Sequence, residues 1–206
     1  MNALRAQMNP HFIFNCLNSI DRYIISNDMR KASEYLNHFG RLIRLILQNS
    51  RANYVNLKDE IEALELYIKL EQMRFHHTFC YQIDISPGLN PENYEIPPML
   101  IQPFVENAIW HGLHPKEGKG AVKVGIRRGD DVITCTVEDD GIGRAAAKAI
   151  KDAQPIKRKS MGMHITEERI EIINKLFQTN NKIDIIDLYD EQGKAKGTRV
   201  VLHIPI

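Results

Sequence analysis

Three stretches in the first third of the chain place apolar residues at the spacing of an α-helix. The first stripe comprises Ile13, Leu17, Ile20 and Ile24. The second comprises Tyr35, Phe39, Leu42 and Ile46, and the third comprises Leu57, Ile61, Leu64 and Ile68. A period near ~3.6 residues is the pattern of helices that bury one face. The sequence therefore predicts three amphipathic helices before residue 77.

A polar run from Ser26 to Asp28 separates the first two stripes. Such a run predicts the short connection of two antiparallel helices, so residues up to 50 form a helical hairpin. One hairpin leaves apolar surface uncovered, whereas two associated hairpins cover it in a four-helix bundle. We therefore expect a homodimer. The third helix is expected to begin after Asn56 and to end near Arg74.

The pattern changes after residue 77. Residues 78–85 are rich in β-forming side chains, and a loop containing proline and glycine follows them. Beyond this loop we expect helices at 97–111 and 163–177, strands at 121–127, 132–138, 182–189 and 198–204, and a long polar loop after the strand at 132–138. The predicted fold class is α+β, with a helical part at 1–77 and, at 78–206, a mixed sheet covered by helices on one face.

The composition excludes some partners and sites. Lys and Arg number 27 against 26 Asp and Glu, so no overall field attracts nucleic acid. Cys16, Cys80 and Cys135 lack the spacing of a zinc site or a disulfide framework, which is typical of a reducing cytoplasm. No apolar run approaches the ~20 residues that span a bilayer. We therefore expect a cytoplasmic portion without a nucleic-acid partner.

The segment from Gln7 to Asn15, QMNPHFIFN, places a histidine near a helix start. Pro10 either begins the helix or kinks it, and both leave His11 on an accessible turn. A typical imidazole, with a midpoint near ~6.5, is largely neutral in the cytoplasm and can attack phosphorus. Asn15 follows one turn later, where it can bind a phosphoryl oxygen or a water. The alternative is a histidine that only contacts solvent.

The segment from Pro98 to Gly112 is apolar but carries Glu106 and Asn107 in its middle. Buried polar groups need partners, and a metal-bound phosphate would provide them. An asparagine carbonyl oxygen suits Mg²⁺, which commonly bridges to substrate phosphates. The alternative is that both side chains face solvent or cap a neighbouring loop.

Asp139 follows a predicted strand and precedes two glycines, Gly141 and Gly143. A carboxylate accepts a hydrogen bond from an exocyclic amine, and glycines let the backbone approach a flat ring, which suits adenine. The alternative is an ordinary turn, in which acidic residues and glycines are common.

The predicted loop from Gly141 to Ser160 carries excess positive charge. Its basic residues are Arg144, Lys148, Lys151, Lys157, Arg158 and Lys159. Such a local excess indicates a polyanion, and the helix that opens at Gly162 and Met163 could hold phosphate with its N-terminal amides. The alternative is a mobile surface loop, although a lid also needs mobility.

The order and spacing of these segments closely resemble the LytS-like family of sensor histidine kinases. Residues 7–18 resemble its phosphoacceptor box, and residues 57–75 resemble the helix that follows that box. Residues 98–112 resemble the asparagine box, residues 139–143 the first glycine box and residues 161–163 the second. The resemblance implies a helical part that dimerises and a GHKL-type ATP-binding sandwich after it.

The resemblance also implies roles for single residues. His11 would be phosphorylated, with Asn15 as its catalytic neighbour, Asn107 would bind Mg²⁺, and Asp139 would accept a hydrogen bond from adenine. The expected ATP-site residues are Glu106, Asn107, His111, Asp139, Gly141, Gly143, Gly162, Met163 and Thr198. The phosphoryl group would pass to an aspartate of a response-regulator receiver domain, and a membrane sensor would lie upstream.

Three positions depart from related patterns. Phe12 follows His11 where many histidine kinases carry an acid, so no general base is identified. Pro103 stands where ATP-hydrolysing GHKL proteins usually carry a glutamate, which favours transfer to histidine over hydrolysis. Ser160 stands where the second glycine box usually begins with glycine.

Two other classes of function compete with this one. A dimeric scaffold could bind ATP and signal by shape, but the presence of His11, Asn15 and Asn107 speaks against it. A GHKL ATPase or a protein-serine kinase is the other alternative. Pro103 disfavours the ATPase, and the HFIFN segment has no role in a serine kinase.

Overall fold

The computed structural model describes residues 10–50, 52–152 and 183–206, which form two compact units. The first unit contains the described residues up to His77 together with Pro91–Pro98. The second contains Thr78–Asn90 and the described residues from Met99 onward. The division made from the sequence assigns all of 78–206 to the second part, so it misses the return of Pro91–Pro98 to the helical unit.

Three helices make up most of the first unit: α1 spans Pro10–Ile25, α2 spans Met29–Asn49 and α3 spans Leu57–Arg74. In the turn between α1 and α2, Asn27 has a φ of 59°, a left-handed conformation that asparagine tolerates better than most residues. Asp28 then caps α2, because its carboxylate accepts a hydrogen bond from the backbone N–H of Lys31. The predicted helical hairpin is therefore present.

The apolar face that α1 buries within the chain differs from the predicted stripe. Phe12, Cys16 and Ser19 are buried, and the Phe12 ring lies 5.1 Å from the Tyr67 ring of α3. Leu17, which belongs to the predicted stripe, is 48% exposed. The predicted stripe of α2 is covered, with Tyr35, Leu42 and Ile46 buried. Helical spacing identifies α1 as a helix but does not tell which apolar face its own chain covers.

Buried polar side chains lie within the core of the first unit. Glu71 of α3 is completely buried, and both its carboxylate oxygens accept hydrogen bonds from Arg74 Nη1, at 3.0 and 3.2 Å. The Tyr35 hydroxyl of α2 donates to Cys16 Sγ of α1 at 3.5 Å. Burial raises the pKa of the Cys16 thiol to about 12, so this thiol packs as a neutral group. The Tyr35–Cys16 contact restricts the rotation of α1 against α2.

A two-stranded sheet explains why Pro91–Pro98, here called the returning segment, belongs to the first unit. Strand β1 (Val55–Asn56) pairs antiparallel with β3 (Glu95–Ile96). The Asn56 side chain also donates to the Glu92 carbonyl oxygen at 2.7 Å. The isoleucine of β3 is completely buried as a result.

The second unit is built on a mixed sheet with the strand order β2-β4-β5-β7-β6. The strands are β2 (Phe79–Ile85), β4 (Gly120–Arg128), β5 (Val132–Asp139), β6 (Ile183–Tyr189) and β7 (Ala195–Pro205). β2 runs parallel to β4, and the other neighbours are antiparallel. One face buries Val122, Val124, Ile126, Ile133, Cys135, Val137, Leu202 and Ile204. The predicted α+β class with a mixed sheet is confirmed.

The helices of the second unit depart from the prediction at two places. Instead of one helix from Pro97 to His111, α4 spans Gln102–Asn107 and continues as a π turn over Ala108–Leu113. Met99 has a φ of 58°, which no α-helix accommodates, so the helix begins only after it. Within the predicted polar loop, α5 spans Arg144–Asp152, where consecutive alanines favour a helix. In the parts of the chain that the structure describes, no helix is long and apolar enough to cross a bilayer.

Removing the Glu71 carboxylate should destabilise the first unit, because Arg74 is largely buried and loses its two hydrogen bonds to Glu71. We expect Glu71→Ala to lower the free energy of unfolding by about 3–5 kcal/mol. The matched control is Glu65→Ala on the same helix, where the ion pair with Lys69 is exposed. Its cost should stay below about 1 kcal/mol. Urea unfolding followed by far-ultraviolet circular dichroism measures both, and equal losses would contradict the importance of the buried pair.

Candidate functional site

Asp139 is the last residue of β5 and lies on the buried face of the sheet. The alternation of side chains along β5 places it on the same face as the apolar residues of that strand, and it is only 5% exposed. In the sheet register it pairs with Val122 of β4 and with Thr198 of β7. Directly paired residues of antiparallel strands share a face, so Thr198 lies beside Asp139.

Two backbone N–H groups hold the Asp139 carboxylate. The N–H of Gly141 donates to Oδ1 at 2.9 Å, and the N–H of Thr198 also donates to the carboxylate. Burial nevertheless raises the pKa of Asp139 to about 6, and the neighbouring charges of Asp140 and Glu138 add to the increase. Once ionised, this fixed and largely dehydrated carboxylate is a strong acceptor for an N–H group of a ligand.

Three glycines, Gly112, Gly141 and Gly197, pack so closely around Asp139 that side chains are excluded; we call them the glycine cluster. A Cβ atom at Gly112 would lie 2.5 Å from Asp139 Oδ1. A Cβ atom at Gly197 would overlap the Asp139 carbonyl oxygen, and one at Gly141 would overlap the backbone of Gly112. The cluster lets three backbone segments approach the same carboxylate.

The π turn brings Asn107 to the same side of the helix as Gly112. The backbone N–H of His114 donates to the carbonyl oxygen of Ile109, five residues earlier, at 2.8 Å. Residues five apart lie on one face of a π-helix, so Asn107 stands one turn before Gly112 on that face. A regular α-helix would rotate these two residues apart.

The Asn107 side chain is half-buried. It makes no hydrogen bond to any residue that the structure describes, whereas its neighbour Glu106 accepts one from Gln102 Nε2 at 2.8 Å. An amide oxygen of this kind is a suitable ligand for Mg²⁺. His111, also expected at the nucleotide site, lies on the exposed side of the π turn.

Asp139 is followed by a second acidic residue, Asp140, and this residue has a structural role. Its Oδ1 accepts a hydrogen bond from the backbone N–H of Ala121 at 2.8 Å and lies 3.0 Å from Lys116 Nζ. Lys116 also donates to the Asp140 carbonyl oxygen at 2.8 Å. These contacts attach the loop after β5 to the start of β4, so Asp139 alone of the pair faces the glycine cluster.

The basic stretch after Gly143 is only partly described. Gly143 has a φ of 78°, and its carbonyl oxygen accepts the first helical hydrogen bond of α5. Arg144 makes a bidentate contact with Asp187 of β6, at 2.7 and 2.8 Å. This contact attaches α5 to the sheet and occupies the guanidinium group that the sequence suggested for phosphate. Gly162 and Met163 lie outside the described residues.

His11 lies on the exposed side of α1. Its Nδ1 is 3.1 Å from the Asn15 side-chain nitrogen, one helical turn away. Phe12 and Cys16, which follow these two residues, point into the first unit and are buried. The packing of α1 therefore presents the predicted catalytic pair to solvent.

The structure thus brings together Asp139, Gly141 and Thr198, and it places Asn107 on the face that carries Gly112. Sequence reasoning missed Gly112 and Gly197 as parts of the site, along with the Lys116–Asp140 pair. An isolated glycine within a strand signals close backbone approach, so Gly197 could have been found. The Lys116–Asp140 contact joins residues 24 apart in the chain and has no local signal.

Two protein-family models match the chain. The model described as "Histidine kinase" matches residues 1–79. The model described as "Histidine kinase-, DNA gyrase B-, and HSP90-like ATPase" matches residues 97–206, which is more than half of the chain. Residues 80–96 lie between the two matches.

Curated relatives extend over both matches. The sensor protein LytS of Staphylococcus haemolyticus is 35% identical over 143 residues, which are 69% of this chain and 24% of LytS. The sensor histidine kinase BtsS of Escherichia coli K12 is 32% identical over 172 residues, which are 82% of this chain and 28% of BtsS. The chain spans about a quarter of the length of these relatives.

A solved structure shares the fold. The histidine kinase domain of the blue-light activated histidine kinase EL346 from Erythrobacter litoralis has a TM-score of 0.52 and 13% identity, with 93% of both chains covered. The family models and the curated relatives go further than the fold. Together they show that the chain belongs to the LytS-like family of sensor histidine kinases.

Proposed function

We propose that the chain is an ATP-dependent protein histidine kinase that transfers the γ-phosphoryl group of ATP to its own His11. The observation that carries this proposal is the buried, doubly held Asp139 carboxylate within the glycine cluster. Such a site suits a flat ring that offers an N–H donor. In this proposal residues 1–77 form the phosphotransfer part and residues 78–206 form the ATP-binding part.

The ATP site would be assembled around Asp139. Its carboxylate would accept a hydrogen bond from the exocyclic amine of adenine, with Thr198 beside it. The Asn107 amide oxygen would hold Mg²⁺, which when bound neutralises phosphate charge. Gly162 and Met163 are proposed to contact the phosphates.

His11 would supply the nucleophile. One ring nitrogen attacks the γ-phosphorus, the bond to the bridging oxygen breaks, ADP leaves, and the imidazole releases its N–H proton to water. Asn15 is uncharged and cannot take up this proton, but its contact with Nδ1 orients the ring. Position 103 carries proline and not the glutamate that would activate water, which supports transfer to histidine over hydrolysis.

The complete protein would act in a two-component system. The phosphoryl group would pass from His11 to an aspartate of a response-regulator receiver domain, and the cytoplasmic kinase portion would be joined to a membrane-anchored sensor. Support comes from two relatives, which are named as a sensor protein and a sensor histidine kinase. The matched regions make up only 24% and 28% of their lengths.

A homodimer would form through the outer faces of α1 and α2. The exposed apolar residues on these helices are Phe14, Leu17, Ile24, Ile25, Met29, Leu36 and Leu47. Leu47 also lines a shallow groove with Gly40 and Ile43 on α2. This surface is not covered by α3, and pairing with a second hairpin would bury it.

His11→Ala should abolish autophosphorylation and leave ATP binding unchanged, because the nucleophile and the nucleotide site are in different units. Incubation with γ-labelled ATP measures the label, and calorimetry with a non-hydrolysable analogue measures binding. The label on the unmodified protein should be lost in acid and survive alkali. The matched control is His38→Ala on α2, which should retain the label. An acid-stable label would indicate a serine kinase instead, and label on the His11→Ala protein would contradict His11 as the sole site.

Charge on the outer helical face should break the dimer. We expect the unmodified chain to scatter light as a dimer at micromolar concentration, and Leu17→Glu combined with Leu47→Glu to scatter as a folded monomer. Ile186→Glu, at an exposed position on β6, is the control and should remain dimeric. A monomeric unmodified chain would contradict the proposed association.

The raised pKa of Asp139 makes the second unit less stable as pH rises. The folded protein binds a proton more tightly than the unfolded chain, so the penalty is absent below the ordinary pKa of 3.8 and complete above about 6. Asp139→Asn removes the penalty, worth up to about 3 kcal/mol above pH 6. The single tryptophan, Trp110, lies in the π turn and reports unfolding of this unit by fluorescence. A stability difference between the two proteins that does not change with pH would contradict this assignment.

A further inference from the structure

The geometry points to Gly112 as the residue that sets the orientation of the Asp139 carboxylate and thereby the selectivity for adenine. Gly112 lies on the π turn, 27 positions before Asp139 in the chain, and it is not itself a donor or acceptor for the ring. It would act as a positioning residue. This inference rests on the proposed function, because it assigns a role within the proposed adenine site.

The requirement at position 112 is the absence of a side chain. A Cβ atom there would lie 2.5 Å from Asp139 Oδ1, 2.9 Å from Cγ and 3.3 Å from Oδ2. These are its three nearest neighbours, and all belong to one carboxylate. Gly112 does not have the left-handed backbone that only glycine adopts easily, unlike Gly197 with its φ of 134°. Alanine therefore fits the backbone at position 112, and among the described residues its conflict is with the carboxylate.

Asp139 cannot move aside without losing the contacts that orient it. The N–H groups of Gly141 and Thr198 both donate to its carboxylate, and the side chain is 5% exposed. Gly141 in turn packs directly against the backbone of Gly112. A methyl group at position 112 must therefore rotate the carboxylate away from these donors or push the π turn away from the sheet.

Rotation of the carboxylate has a specific chemical consequence. Adenine presents an amine at the ring position where guanine presents a carbonyl oxygen, so a fixed carboxylate attracts the first and repels the second. A rotated carboxylate loses both effects. The absence of a side chain at position 112 is thus expected to control the choice between ATP and GTP as well as the affinity for ATP.

A merely structural role for Gly112 predicts a different result. Within a helix, glycine is less favourable than alanine, so Gly112→Ala by itself should not weaken the turn. If Gly112 acts through Asp139, the effect of alanine at position 112 must depend on the Asp139 carboxylate. A double-mutant cycle measures this dependence directly.

The experiment compares the unmodified chain, Gly112→Ala, Asp139→Ala and the double variant by calorimetric titration with non-hydrolysable ATP and GTP analogues. Each single variant should bind the ATP analogue about tenfold to a hundredfold more weakly. The double variant should bind no more weakly than Asp139→Ala, because the carboxylate atoms that a methyl group at position 112 would meet are gone. The preference for ATP over GTP should be lost in all three variants. Gly40→Ala, at a helical glycine with open space around it, is the control and should bind normally.

The outcomes separate the inference from the proposed function. Unchanged affinity in Gly112→Ala, or losses that add in the double variant, would overturn the role of Gly112. Unchanged affinity in a folded Asp139→Ala would overturn the adenine site itself. If Gly112→Ala does not fold, the thermal unfolding of the double variant, followed by Trp110 fluorescence, provides the test. Recovery of folding there supports the conflict between a methyl group at position 112 and the Asp139 carboxylate, and failure to recover contradicts it.

Discussion

The burial of one carboxylate organises the second unit. Asp139 ends β5 on the apolar face of the sheet, where its charge is costly and where two backbone N–H groups and closely packed glycines hold it. The π turn, the loop after β5 and the start of β7 must all converge for this arrangement to exist. The structure thus gives up stability near neutral pH to keep a fixed acceptor at the site.

In the first unit, packing buries one side of α1 and leaves the other side exposed. Phe12 and Cys16 pack against α3 and α2, and the buried Glu71–Arg74 pair lies within the same core. Directional polar contacts restrict rotation more strongly than apolar packing alone. His11 and Asn15 therefore face outward on a helix whose setting is fixed from within.

The sequence predicted the three helices of the first unit, the strands of the sheet and the position of Asp139, because each has a local pattern of spacing or alternation. It did not predict which apolar face of α1 is covered, since Leu17 and Cys16 are both acceptable core residues. It also missed the π turn and the partner of Arg144, which depend on contacts between distant segments. Gly112 shows why the rest could not be predicted. A Cβ atom there would collide with Asp139, which lies 27 positions later in the chain, so no local pattern reveals the need for glycine.

The returning segment has a consequence for how such proteins can be taken apart. The chain leaves the helical unit after His77 and contributes β2 to the sheet of the second unit. It then returns to the helical unit, where β3 pairs with β1, and from Met99 onward its described residues belong to the second unit. A cut at residue 77 would strip β3 of its partner and uncover its isoleucine, which is completely buried. A fragment meant to keep the helical unit intact must therefore include residues 91–98, and these can be reached only by keeping β2 of the other unit in the same chain.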